Sequence, residues 1–327
     1  MSRARIGLLF DVRNPVPWAR PWPELLAGTL DLVVEAERQG ADAIWATEHH
    51  GFEDGYLSQP LTFLAAAAAR TSRVRLGTGV LLAALRHPRH VSEQAALVDN
   101  LSDGRLELGV GAGYAPTEFA TFGRDLGRRM SLADQSIRDL RSDLWDGRLR
   151  PPPVQARVPL WLGYQGPQGA RRAGRLGVGL LSPDPRLLAP YREGLAEGGH
   201  PADTAAMGGL VPLVLSSDPE RTARRLAPHY AHQTRTYAGA RHSGGEPVPP
   251  ASPEDLDALV TTMLDPSGRG LRVVTVDAAV RELGAVLDAA PIRHLYFWAT
   301  VAAMPEDLVH EHLALTLGRL APRLRAR

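Results

Sequence analysis

Residues 74–123 read VRLGTGVLLAALRHPRHVSEQAALVDNLSDGRLELGVGAGYAPTEFATFG. The stretch holds two short apolar strands, and each runs into glycine. Residues 74–76 lead into Gly77-Thr78-Gly79-Val80, and residues 106–110 lead into Gly111-Ala112-Gly113. An amphipathic helix over residues 91–101 joins them. Glycine at the end of a buried strand lets the backbone approach a neighbour or ligand closely, or take angles closed to other residues. One such end is ordinary. Two in consecutive β/α units point to a planar ligand lying across one end of a parallel sheet.

The same alternation extends outward in both directions. Upstream, residues 6–10 read as a buried strand, and the loop 11–23, with its prolines and two tryptophans, as irregular. Pro23 opens a helix that runs to Gln39 and stops at Gly40. Residues 43–47 form a strand that delivers Glu48-His49-His50, and a helix follows over 60–71. Downstream come a helix over 132–145, a loop over 151–159 and a strand over 160–162 ending at Gly163. Then follow a helix over 168–176, a strand over 178–181, a helix over 185–197 and a strand over 210–215. A strand over 294–298 and a helix over 305–320 close the chain. Eight strands alternating with helices predict an α/β fold, a (β/α)8 TIM barrel occupying residues 1–327 as a single domain, rather than an open doubly wound sheet. Residues 238–253, rich in Gly, Pro and Ser, read as an irregular insertion late in the chain, either a lid or a disordered segment.

Composition narrows the function. The chain is 44% hydrophobic and 22% charged, with a formal net charge of +1 and no basic stripe interleaved with aromatics, which argues against nucleic acid as a partner. It contains no cysteine, so disulfides, thiolate metal sites, iron–sulfur clusters and a cysteine nucleophile are excluded. No run reaches the length of a membrane span, and the apolar run 6–10 is too short for a signal-peptide core. A soluble cytoplasmic protein is expected.

In a barrel of this kind the C-terminal ends of the strands build the site. The candidates there are Asp11, the Glu48-His49-His50 triplet, Gly79-Val80, Gly111 to Gly113, Gly163 to Gly166, and Ser182. Adjacent residues leaving a strand point opposite ways, so His49 and His50 are not expected to clamp one metal. One faces the mouth and the other packs behind it, as an acid/base group or as a histidine satisfied by backbone. The turn Gly163-Tyr164-Gln165-Gly166 before a helix suits a phosphate, although a plain strand-to-helix turn looks the same. Gly109-Val110-Gly111-Ala112-Gly113 lacks the helix-opening glycine and the acidic ribose ligand of a dinucleotide fold, so an NAD(P) Rossmann domain is rejected. Reaction type does not follow from these residues alone.

Several stretches resemble the bacterial luciferase-like family of flavin-dependent monooxygenases and deazaflavin (F420)-dependent oxidoreductases. They are Glu48-His49-His50, Leu76-Gly77-Thr78-Gly79-Val80, His87-Pro88 with Glu93-Gln94, and LSDGRLELGVGAGY at 101–114 with Glu118-Phe119 and Phe122-Gly123. The turn 163–166 and the closing Leu320-Ala321-Pro322-Arg323 fit as well. The likeness is dense over residues 43–123 and looser elsewhere.

The resemblance implies a (β/α)8 barrel with a cis peptide at Gly79–Val80 and His49 as the catalytic histidine. Cofactor contacts are implied at Thr78, Gly79, Val80, Gly111, Ala112, Gly113, Gly163, Tyr164, Gln165 and Gly166, with Ser182 at the neighbouring strand end. Two departures stand out. Ala112 occupies the place of a phosphate-binding arginine found in some luciferases, which shifts the phosphate onto backbone amides and Tyr164 or Gln165. Gly177-Val178-Gly179 replaces a common Gly-Asp-Gly. The implied function is a monooxygenase that receives reduced FMN from a separate flavin reductase and oxygenates a small organic substrate with O2. An F420-dependent reductase or dehydrogenase is the alternative, and a non-catalytic flavin-binding subunit a further one. A homodimer is implied, and no metal.

Overall fold

The computed structural model describes residues 3–241 and 250–327. Its strands are β1 (Arg5–Phe10), β2 (Ala43–Ala46), β3 (Arg75–Thr78), β4 (Leu81–Leu82), β5 (Leu106–Gly111), β6 (Leu160–Leu162), β7 (Gly179–Leu181), β8 (Met207–Val211), β9 (Leu213–Leu215), β10 (Arg272–Val274) and β11 (Ile292–Trp298). The helices are α1 (Trp22–Arg38), α2 (Pro60–Arg70), α3 (Pro88–Leu101), α4 (Pro116–Thr121), α5 (Arg129–Trp145), α6 (Gly166–Arg175), α7 (Leu188–Glu197), α8 (Pro219–Ala240), α9 (Pro253–Leu264), α10 (Val276–Ala289), α11 (Glu306–Leu315) and α12 (Ala321–Arg325).

Parallel pairings run β1–β2–β3–β5–β6–β7–β8–β11 and back to β1, closing an eight-stranded barrel. The expected α/β barrel is therefore present. The short β4 lies beyond the Gly79–Val80 bond, which is cis as the resemblance implies, and adds to the end of β5.

The barrel interior explains most of the strand glycines. Trp45 pairs in register with Gly77, and Trp161 with Gly179. A Cβ at either glycine would overlap the facing indole. Large rings inside the barrel are thus matched by missing side chains on the neighbouring strand, which keeps the interior close-packed. Gly179 belongs to the departure at residues 177–179, and its place is set by the Trp161 ring.

Three expectations are corrected. The strand expected over 210–215 is two strands separated by Pro212, which has no N–H to give to a ladder. Only β8 joins the barrel, while β9 leaves it and pairs with β10 outside. The loop 11–23, expected to hold no regular structure, contains a 3-10 turn, Val16–Trp18, while Pro23 does stand in the first turn of the helix after it. The insertion expected at 238–253 is, in its described part, the end of α8 and the lead into α9, and residues 242–249 lie outside the described residues.

Local signals place the helices around the mouth. α3 begins at Pro88 behind the His87 side chain, which accepts from the Arg89 N–H at 3.2 Å. α8 starts at Pro219 with Asp218 as its cap, and α9 carries a Ser252/Asp255 capping box. Among the described residues no helix is long and apolar enough to cross a membrane.

Candidate active site

β2 ends at Ala46, and the chain beyond it carries two histidine–carboxylate pairs, one fully buried and one in which His50 is half-buried. His49 Nδ1 lies 2.8 Å from Glu118 Oε1, supplied by α4. His50 Nε2 lies 2.6 Å from Glu48 Oε1, which also accepts from Arg86 Nη2 at 2.7 Å. The adjacent rings therefore diverge to separate carboxylates. Glu48 Oε2 accepts from the Leu82 N–H at 2.9 Å, tying the triplet to β4. Glu118 Oε1 also accepts from the His50 N–H at 2.8 Å, so this one oxygen orients both histidines.

A carboxylate only accepts, so the bond to Glu118 places a proton on His49 Nδ1 and leaves Nε2 as the free lone pair. Nε2 faces the Tyr114 hydroxyl at 3.4 Å. The imidazole stacks on Phe52, with centroids 4.5 Å apart, and meets the edges of Tyr56 and Tyr237 at 4.8 and 5.7 Å. His49 thus has a fixed tautomer, a fixed plane and one nitrogen available for proton exchange.

The expected cofactor residues divide into two groups. Val80 is half-buried at the mouth, and its methyls occupy the places where a Cβ on Gly111 or Gly163 would stand. Gly79, Val80, Gly111 and Gly163 therefore meet on the adjoining ends of β3, β5 and β6, with Gly113 beside them in a left-handed conformation (φ 74°). This apolar, side-chain-poor bed of partly open backbone fits a planar cofactor. Gln165 is exposed and Gly166 half-buried at the start of α6, where the N–H groups of a helix's first turn suit a phosphate.

The other group has its polar atoms engaged elsewhere. Thr78 is fully buried, and its hydroxyl donates to Gly109 O at 2.6 Å and accepts from Gly109 N at 2.9 Å, stapling β3 to β5. The Tyr164 hydroxyl donates to Asp134 Oδ1 at 3.0 Å, so its polar end faces α5. Ala112 is buried. Ser182 forms a bridge to Gly208, and its hydroxyl accepts from the Asp184 N–H at 3.3 Å.

A second polar cluster was not foreseen as a unit. Arg13 is buried, donating from Nε to Asp11 Oδ2 at 3.1 Å and from Nη1 to Asp54 Oδ2 at 2.6 Å and Thr236 Oγ1 at 2.8 Å. His232 Nε2 reaches Asp54 Oδ2 at 2.9 Å. Burial pushes the Asp11 carboxyl up to about 6 against the pull of Arg13, with Asp54 adding to the rise. Burial acts the same way on Asp54, but His232 and Arg13 hold that group below its ordinary value. Asp11 alone of this cluster stands out in the sequence, because Arg13 gains its role only through Asp54 in a distant loop and Thr236 and His232 on α8. Glu118 stood inside a marked motif, yet its tie to His49 needed the fold.

Beside these clusters lies a cavity of 570 Å³, walled by Val16, Pro17 and Trp18, by His50, Phe52 and Asp54, and by α8 through Pro228, His232 and Thr236, with Leu256 of α9.

A family model for luciferase-like monooxygenases matches residues 12–262. The 4-hydroxyprotoasukamycin monooxygenase of Streptomyces nodosus subsp. asukaensis is 33% identical over 64% of this chain and 61% of its own length, so the match spans less than two thirds of that relative. An F420-dependent glucose-6-phosphate dehydrogenase of Amycolatopsis mediterranei is 28% identical over 83% of this chain and 88% of its own. The crystal structure of monooxygenase RslO1 from Streptomyces bottropensis superposes with a TM-score of 0.77 at 24% identity, covering 97% of this chain and 99% of that one, which establishes the shared fold. With the family model matching most of the sequence and the barrel carrying a histidine-bearing mouth, the chain belongs to the luciferase-like monooxygenase family of oxidoreductases.

Proposed function

We propose that the chain is a monooxygenase that takes reduced FMN from a separate reductase and uses O2 to oxygenate a small, largely apolar organic substrate. It would work in the cytoplasm as a homodimer. The observation that carries this reading is the cavity wall: Val16, Pro17, Trp18, Phe52, Pro228 and Leu256 offer apolar and aromatic surface, alongside the polar members Glu53, Asp54, His232 and Arg235. The monooxygenase relative, at 33% identity, supports the same choice.

The bed of Gly79, Val80, Gly111, Gly113 and Gly163 would hold the flavin ring, and the start of α6 its phosphate. Reduced FMN would supply the electrons with which dioxygen is activated. This chain's own contribution is to place His49 Nε2 for proton exchange, with Glu118 holding Nδ1 and Tyr114 facing Nε2. Phe52, Tyr56 and Tyr237 pack around the ring and keep water from it.

A second reading is favoured by a different observation. F420-dependent glucose-6-phosphate dehydrogenases align over as much as 91% of this chain, further than the monooxygenase does. On that reading the same bed holds F420 and no oxygen is consumed.

Anaerobic titration of the purified apoprotein with reduced FMN and, separately, with reduced F420 separates the two. Tighter binding of reduced FMN, followed by substrate-dependent oxygen uptake, is expected. Tighter binding of F420 without oxygen uptake would overturn the proposal in favour of the second reading. Binding of reduced FMN with no loss of turnover in His49→Ala would leave a flavin-binding subunit.

A further inference from the structure

The buried Arg13 lies against the same rings that surround His49. Its guanidinium carbon is 4.5 Å from the Tyr56 ring centroid, 4.6 Å from that of Tyr237 and 5.5 Å from that of Phe52. Those three rings stack on or edge against His49, which also meets the edge of Tyr114 at 5.3 Å. Tyr56 and Tyr237 also join through their hydroxyls at 2.9 Å. Arg13 is thus shared between two tasks. It is gripped by Asp11 and Asp54 from the barrel loops, and it grips α8 through Thr236 and the face of Tyr237.

Two further observations say that this tie holds a constrained arrangement. Val12, between Asp11 and Arg13, has φ 54°, a left-handed conformation that a β-branched residue adopts only under constraint from its surroundings. Across the mouth, Ala302 and Ala303 after β11 have φ 41° and 57°. Here too α8 makes the contact, with His229 Nδ1 donating to Ala302 O at 2.9 Å while its ring stacks on Trp18 at 3.9 Å. Both non-glycine left-handed sites at the mouth therefore lie where α8 is fastened to the barrel. Strain of this kind, gathered at a site and held by a network, marks a preorganised arrangement.

We propose that Arg13 is a positioning residue that pins α8 across the barrel mouth and, through Phe52, Tyr56 and Tyr237, fixes the plane and surroundings of His49. The chemistry asks for arginine. The planar fork donates from Nε to Asp11 and from Nη1 to both Asp54 and Thr236 while its face lies on aromatic rings, and an ammonium group does not offer that flat, forked geometry. The proposal rests on His49 as the reacting group, but its test needs no turnover, so a protein that binds neither FMN nor F420 would still report on Arg13.

The test uses the full chain with labelled histidine, the His49 ring signals being assigned by their loss in His49→Asn. Arg13→Lys keeps a charge between the two aspartates and removes the fork. The ring-proton shifts of His49 should move, because three of the four rings around it are released while Tyr114 stays in place. Amide exchange over residues 229–240 should quicken by about tenfold, the effect of losing roughly one charge-assisted bond. Should Arg13→Lys fail to fold, Thr236→Val removes only the hydrogen-bonded one of Arg13's two contacts with α8, and both readouts should change in the same direction by less. Wild-type signals and exchange in a folded Thr236→Val protein would overturn the proposal. Faster exchange with an unmoved His49 signal would overturn it as well, because Arg13 would then be a structural tie and no more.

Discussion

The floor and the mouth of the barrel each contain a buried cluster built from arginine, histidine, acid and aromatic residues, and the two are completed differently. At the floor, Glu107 of β5 accepts from Arg5 at 3.1 Å and from Arg75 on one oxygen. Its other oxygen accepts from Trp161 Nε1 at 2.9 Å and lies 2.8 Å from His294 Nε2. Both oxygens are saturated. At the mouth, Asp11 Oδ1, Asp54 Oδ1, Arg13 Nη2 and Glu118 Oε2 are all buried without a partner, whereas His294 Nδ1 is the one such atom among the floor residues just named. Buried polar atoms without partners are costly, and native proteins keep few of them. A floor with its acid fully paired does the work of stability. A mouth with open donors and acceptors has kept capacity for something it binds or moves.

The largest expected effect is therefore at the floor. Burial alone raises the Glu107 carboxyl, but His294, then Arg75 and Arg5, hold it at about 2. Glu107→Gln removes the charge and turns an amide NH2 toward groups that themselves donate. Its cost should be about 3–5 kcal/mol, the range for breaking a buried ion pair by removing one partner. Urea denaturation near neutral pH measures it. A loss below about 1 kcal/mol would mean that the floor is not the stabilising cluster.

How much of this contrast could be read from sequence depends on chain separation. The glycine-ended strands, the barrel and the histidine triplet are local patterns, and each was legible. What the glycines accommodate was not. Gly77 answers the Trp45 ring and Gly111 the Val80 methyls, and both facts need the strand register. The Arg13 cluster was invisible for the same reason, since Arg13 and Thr236 are 223 residues apart and Asp54 and His232 178 apart. One signal for the mouth is local. Asp218-Pro219 is a cap followed by proline, the mark of a helix start, and it opens α8, the helix that covers the mouth.

The next effect sharpens the comparison through its sign. Asp11, raised to about 6, binds its proton more tightly folded than unfolded. Its contribution to stability is thus fully present below the ordinary aspartate value of 3.8 and is lost as pH rises through 6. Glu107, held at about 2, does the reverse, keeping its contribution above the ordinary glutamate value of 4.5 and losing it as pH falls through 2. Asp11→Asn should therefore gain on the wild type by up to about 3 kcal/mol between pH 4 and pH 7, read from denaturation midpoints across that window. Parallel curves for the two proteins would remove the distinction between the clusters.

The smallest expected effect is the most direct test, because it repeats at the mouth the substitution made at the floor. In Glu118→Gln a carbonyl oxygen can take the place of Oε1, which accepts from His49 Nδ1 and the His50 N–H, both at 2.8 Å. The new NH2 then occupies the place of Oε2, where no donor stands to oppose it. Folding stability should change by only about 1 kcal/mol, that of an ordinary hydrogen bond losing its charge. Turnover should fall about tenfold or more, because His49 loses the anion that steadies its protonated form. Equal stability losses in Glu118→Gln and Glu107→Gln would make the mouth a second structural cluster, and its open atoms would then need another explanation. A small loss at the mouth beside a large one at the floor would show that identical chemistry, an acid exchanged for its amide, is felt according to whether the surrounding donors were already committed.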